Sequence, residues 1–134
     1  MPDLSAHTVS DYMSTNLLTF KPDTDVMSAI GQLLKRGHSG APVCDEAGLL
    51  VGMLSEKDCL KVAVIANYEG VSPGVVRDFM TVHAATLAPE MTLLDAATRF
   101  LDAPYKRFPV VESGRLVGQI SRSDILRAIH DDSL

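Results

Sequence analysis

The sequence predicts an α+β fold: two βαββα repeats packed with pseudo-twofold symmetry into one module. Three observations predict it. The chain repeats itself, with Asp11-Tyr12-Met13 returning as Asp78-Phe79-Met80, Pro22 as Pro89 and Pro42-Val43 as Pro109-Val110, each at an offset of 67 residues. Past the turns "DEAG" and "ESG" the offset becomes 66, as from Gly52 to Gly118 and Asp58 to Asp124, so one residue is missing from a turn, where loss is best tolerated. Within each copy, helical periodicity alternates with short apolar runs bounded by turn residues. Finally, a copy of about 60 residues buries too little of its own surface, so the two are expected to pack sheet against sheet, with two equivalent clefts.

The elements follow in order. A helical turn at "VSDYM" or "VRDFM" leads into a brief extended stretch, "LLTFKP" or "ATLAP". A helix comes next, with Val26, Ala29, Ile30, Leu33 and Leu34 at i, i+3, i+4, i+7 and i+8, matched by Leu93, Ala96, Ala97, Phe100 and Leu101. All five positions are expected on one apolar face. A hairpin follows, "APVC" with "LLVGML" and "FPVV" with "RLVGQI", each across a Gly-containing turn. Each copy closes with a helix, "SEKDCLKVAVIANY" or "SRSDILRAIH". The expected boundaries are 8–66 for the first repeat, 67–74 for a linker within "IANYEGVSPG", and 75–130 for the second repeat.

Composition excludes several classes of function. With 46% apolar residues the chain is expected to fold, and its net charge of −5 argues against a nucleic-acid partner or an anionic membrane surface. No apolar run reaches the roughly 18 residues of a membrane span. The start, "MPDLSAHTVSDYM", has neither the basic nor the apolar region of a secretory signal, which predicts a cytoplasmic location. Cys44 and Cys59 form no C-x-x-C spacing and read as buried free thiols. His7, His38, His83 and His130 form no metal-ligand pattern.

The stretches "GMLSEKD" and "GQISRSD" carry the candidate chemistry. Gly52 and Gly118 are expected at a strand end, where the missing Cβ admits a neighbouring backbone or a ligand. Ser55 and Ser121 read as helix N-caps, whose first-turn amides and dipole favour an anion. Asp58 and Asp124, acceptor-only when ionised, suit two donating hydroxyls such as a ribose diol. Ser-x-x-Asp is also an ordinary capping pattern, and one copy would signify little. Its recurrence behind two Pro-Val hairpins gives it weight.

A βαββα tandem with Pro-Val on its second strand and Gly-x-x-Ser-x-x-Asp at its last helix resembles a pair of CBS (cystathionine beta-synthase) domains, the Bateman module. The resemblance runs from Val9 to Ile129 and leaves no room there for a fused catalytic or transport domain, as in a stand-alone bacterial-type protein. It implies an adenosine-containing ligand, such as AMP, ADP, ATP, S-adenosylmethionine or NAD, held in clefts between the copies. It also implies a homodimer, a flat four-repeat disc. One cleft would combine Asp124, Ser121, Ser123 and Gln119 with His38, Ser39, Gly40 and Lys21. The other would combine Asp58, Ser55, Met53 and Lys57 with Tyr105, Lys106 and Arg107.

The copies differ in front of Pro-Val. Lys106-Arg107 stands where the first copy has Ser39-Gly40, and in the family basic residues there reach phosphates, so unequal sites are expected. Tyr105 reads as an adenine platform or a packing residue, and the methionines as core filler. The expected function is a regulatory sensor that signals through conformation to an unidentified partner protein. Its alternative is a constitutive dimerisation scaffold without ligand. No nucleophile, carboxylate pair or metal cluster points to an enzyme.

Overall fold

A computed structural model describes residues 3–69, 73–82 and 84–133; residues 70–72 of the expected linker and His83 lie outside the described residues. In chain order it contains α1 (Val9–Tyr12), α2 (Val26–Arg36), β1 (Gly40–Cys44), β2 (Leu50–Ser55), α3 (Glu56–Glu69), α4 (Leu93–Asp102), β3 (Arg107–Glu112), β4 (Arg115–Ser121) and α5 (Arg122–Ser133). Short 3₁₀ turns occupy Leu4–Ala6 and Val76–Asp78. Two antiparallel hairpins, β1–β2 and β3–β4, form the sheets. Both carry a register irregularity at the same place, between Val43 and Cys44 and between Val110 and Val111.

The first strand of each repeat shrinks to a single parallel bridge, Phe20 to Val43 and Leu87 to Val110. Prolines explain the brevity. Pro42 and Pro109 have no N–H to donate, so Phe20 donates to the Pro42 carbonyl and receives from Cys44, while Leu87 bonds to Pro109 and Val111 in the same way. Pro22 and Pro89 stand two residues beyond each bridge.

The chain divides into two units, Leu18–Ala84 and Met1–Leu17 with Ala85–Leu134. Neither coincides with a sequence repeat. In the first unit the turn Val76–Asp78, which opens the second repeat, is bound to the segment leading into α2: Val76 donates to Thr24 (2.8 Å) and Arg77 to Pro22 (2.8 Å). In the second unit α1, which opens the first repeat, sits before α4: Val9 donates to Met91 (2.8 Å) and Ser10 to Pro89 (2.9 Å). Each unit has its own core. Leu54, Val43, Val26 and Val62 centre one, and Phe108, Ile120, Leu93 and Val110 the other.

The matched helices bury four of the expected five positions fully or in part. Leu34 and Leu101 instead stand 78% and 86% exposed. At about 100° per residue the i+8 position lies roughly 90° from the centre of the apolar stripe, off the sheet. Met27 and Leu94, at i+1, lie beside them and are also exposed. Gly31, in the middle of α2, has open space where a Cβ would stand. Gly31→Ala is therefore expected to stabilise the protein by about 0.5–1 kcal/mol, read as a higher urea midpoint.

Candidate functional site

Both closing helices begin where a hairpin ends, and both begin alike. Ser55 ends β2 and caps α3, its Oγ accepting from the Asp58 amide at 3.2 Å while its own amide donates to Asp58 Oδ2 at 2.9 Å. Ser121 ends β4 and caps α5 with the same pair of bonds to Asp124, at 3.2 and 2.8 Å. The first amide of each helix is also engaged. Glu56 donates to the Ser39 carbonyl (2.9 Å) and Arg122 to the Lys106 carbonyl (3.1 Å), which ties the residues before Pro-Val to the cap of their own repeat. Little of the first-turn amide cluster is thus left for an anion, and the side chains carry the candidate chemistry.

The carboxylates differ in their remaining partners. Asp58 is 4% exposed. Its Oδ2 also accepts from Ser55 Oγ at 2.9 Å, Thr81 Oγ1 reaches Oδ1 and Oδ2 at 3.2 and 3.4 Å, and Lys61 Nζ lies 3.6 Å from Oδ1. Asp124 keeps a side-chain exposure of 14% and has, among the described residues, one further partner, Arg127, whose guanidinium donates to Oδ1 at 3.0 Å. Arg127 also donates to the Tyr12 carbonyl and lies over the Tyr12 ring.

Gly52 and Gly118 sit inside their strands rather than at the ends. The close approach they permit is made by protein. A Cβ on Gly52 would stand 2.8 Å from Met80 Sδ and 2.9 Å from the Thr81 carbonyl; one on Gly118 would meet Met13 and the Ser14 carbonyl. Reciprocal backbone bonds hold those segments to the strands, Met53 with Thr81 and Gln119 with Ser14.

Other expected site residues fall in varied settings. Arg107 opens β3 directly opposite Ser121, and its Nε is buried without a partner among the described residues. Gln119, 8% exposed, likewise leaves Nε2 without a partner. Cross-strand partners and residues two apart share a face, so Arg107, Gln119 and Ser121 project from one side of the β3–β4 ribbon. Phe108 and Ile120 project from the other, into the core. At the matching places the first ribbon has Gly40 and Met53. Lys57, Lys106 and Ser123 are exposed, and Ser39 is exposed ahead of β1. Tyr105, 49% exposed, sets its ring edge-on to Phe108 at 5.6 Å. Lys21 pairs with Glu46 in the β1–β2 turn at 3.5 Å, and the half-buried His38 donates its amide to Leu33 at the end of α2.

The two thiols are free and partly buried. Burial is the first cause raising both above the ordinary cysteine range; the charge of Asp45 adds to it at Cys44, and those of Asp58 and Glu56 at Cys59. Both are held as weakly nucleophilic thiols near neutrality. Among the described residues no group of three or more His, Cys, Asp or Glu could hold a metal ion, and no helix is long and apolar enough to cross a membrane.

Paired hairpin-and-helix units, each with a Ser-x-x-Asp cap, define a tandem α+β module. The chain belongs to the CBS domain family, whose model matches residues 9–65 and 76–131. It is 35% identical over 124 residues to the A-adding tRNA nucleotidyltransferase of Aquifex aeolicus, a match covering 92% of this chain and 14% of that protein. It is 28% identical to the uncharacterised protein MJ1225 of Methanocaldococcus jannaschii, over 92% of this chain and 43% of that one. The chain thus spans less than half the length of either relative. The crystal structure of CBSX2 in complex with AMP superposes with a TM-score of 0.85 at 32% identity, covering 96% of this chain and 99% of that one; CBSX2 is a chloroplastic protein of Arabidopsis thaliana. The CBS domain pair of MJ0100 in complex with 5′-methylthioadenosine and S-adenosyl-L-methionine superposes with a TM-score of 0.75 at 26% identity, over 92% and 96%.

Proposed function

We propose that this chain is a non-catalytic, cytoplasmic regulatory module that binds an adenosine-containing ligand beside a Ser-x-x-Asp cap and passes the bound state to a partner protein through conformation. The observation carrying this reading is the twofold recurrence of a carboxylate fixed at a helix cap beside a ribbon end. Similarity to CBS pairs crystallised with AMP and with S-adenosyl-L-methionine supports the ligand class. A ligand can shift the module only by its differential affinity for two states, so no chemical step is required.

A second reading, a dimerisation scaffold, is favoured by one observation. Apolar side chains are exposed at the same places in both repeats: Met27 and Leu94, Leu34 and Leu101, Leu60 and Leu126. Such recurring faces suit a second copy of the chain.

One experiment separates the readings. AMP, ADP, ATP, S-adenosylmethionine and NAD are titrated in a thermal-shift assay, with mass measured with and without the best ligand. A ligand at about 100 times its Kd adds ~2.7 kcal/mol and should raise the melting temperature by several degrees. Silence from all five at millimolar concentration, with a dimer mass, would establish the scaffold instead.

A further inference from the structure

We propose that the two caps have parted in role: Asp124 is the ligand-binding carboxylate, whereas Asp58 is a structural clasp that Thr81 keeps closed. The inference rests on the adenosine-binding reading and says which carboxylate performs it.

An ionised carboxylate offers about four acceptor positions. At Asp58 three hydrogen-bond donors already converge, the Ser55 amide, the Ser55 hydroxyl and the Thr81 hydroxyl, and the Lys61 ammonium adds an ion pair at 3.6 Å. A diol would have to displace at least one of them. At Asp124 only the Ser121 amide and Arg127 bond to the carboxylate among the described residues, which leaves two positions for two hydroxyls.

The difference has a local origin. Thr81 and Ser14 are equivalent residues, each held by reciprocal backbone bonds to the middle of a strand, at Met53 and Gln119. Only Thr81 reaches a carboxylate. Ser55 Oγ–H is likewise spent on Asp58, whereas Ser121 Oγ makes no such bond to Asp124.

A second, independent observation points the same way. The face carrying Ser121 also presents Gln119 Nε2 and Arg107 Nε, buried donors without an acceptor among the described residues. Such groups are costly unless something completes them, and a ligand bearing a phosphate or other anionic acceptor would do so. The first ribbon has Gly40 and Met53 there and leaves no comparable demand.

The same logic appears at sites remote from any ligand role. Asp11 and Asp78 bond back to the amides of Thr8 and Val75 at 2.9 and 3.1 Å, so an aspartate three residues past a cap is this fold's general clasp. Asp58 and Asp124 both make that back-bond; Asp58 alone adds two hydroxyl donors to it, whereas Asp124 adds Arg127.

The test is calorimetric titration of AMP into the whole chain and four variants. The wild type should bind one AMP per chain. Asp124→Ala should weaken binding by about tenfold or more, as expected for loss of a charge-assisted hydrogen bond, and Asp58→Asn should change it by less than about threefold while lowering the melting temperature. Thr81→Val should open a second binding event, which Thr81→Ser should not. Two equivalent sites in the wild type, or loss of affinity in Asp58→Asn but not in Asp124→Ala, would overturn the assignment.

The clasp is tested without ligand as well. Urea unfolding of Asp58→Asn, Thr81→Val and the double variant should be non-additive, and additivity would refute the clasp. If no adenosine ligand binds the wild type, the functional reading fails and takes the Asp124 assignment with it, while a non-additive cycle still upholds the Asp58 clasp.

Discussion

Phe108→Ala is expected to destabilise the protein by about 3–5 kcal/mol, the range for deleting a fully buried aromatic side chain. Phe108 is 1% exposed and lies at the centre of the second unit's core, 4.8 Å from the Phe100 ring, with Tyr105 against it edge-on and the Arg99 guanidinium 5.8 Å from its centroid. Removing it strips partners from three side chains at once and leaves a cavity between α4 and the ribbon. Tyr105→Ala, at the half-exposed end of the same cluster, should cost far less. Urea unfolding followed by far-ultraviolet circular dichroism measures both; equal losses would mean that the cluster does not anchor this core. Phe108 also precedes Pro109 on the strand begun by Arg107, so the variant should weaken ligand binding only as far as it unfolds the ribbon.

Gly52→Ala is expected to destabilise by about 1–3 kcal/mol, opposite in sign to Gly31→Ala. The added methyl would press on Met80 Sδ, which can move, and on the Thr81 carbonyl, which cannot move freely because reciprocal bonds to Met53 hold it. The effect should appear in the urea midpoint without any ligand present. A neutral result would return Gly52 to the alternative reading, space kept open for a ligand.

Much of the fold was legible in the residues. Matching Pro-Val pairs located both hairpins, and Ser-x-x-Asp located both helix starts, because caps and turns are local chemistry. The helix stripe was legible except at its margin, where Leu34 and Leu101 are apolar yet face outward. Periodicity places a residue by angle and cannot tell where the sheet beneath it ends. The exchange of opening turns was not legible, since equivalent copies make the two pairings indistinguishable: the segment before α2 could receive Val9 or Val76 with the same donors and carbonyls. Thr81 was missed for the same reason. Its hydroxyl meets Asp58 from 23 positions away, and the matching Ser14 shows that the position alone does not dictate the bond.

The exchanged opening turns also set an order of events as the chain is made. The unit Leu18–Ala84 is continuous, so it is complete in sequence once Ala84 has been synthesised. Helix α1 is made before that unit, yet Val9, fully buried in the finished protein, has its backbone partner Met91 in the segment made after it. Helix α1 therefore waits without that partner while the continuous unit folds, and the second unit closes only when its two separate segments meet.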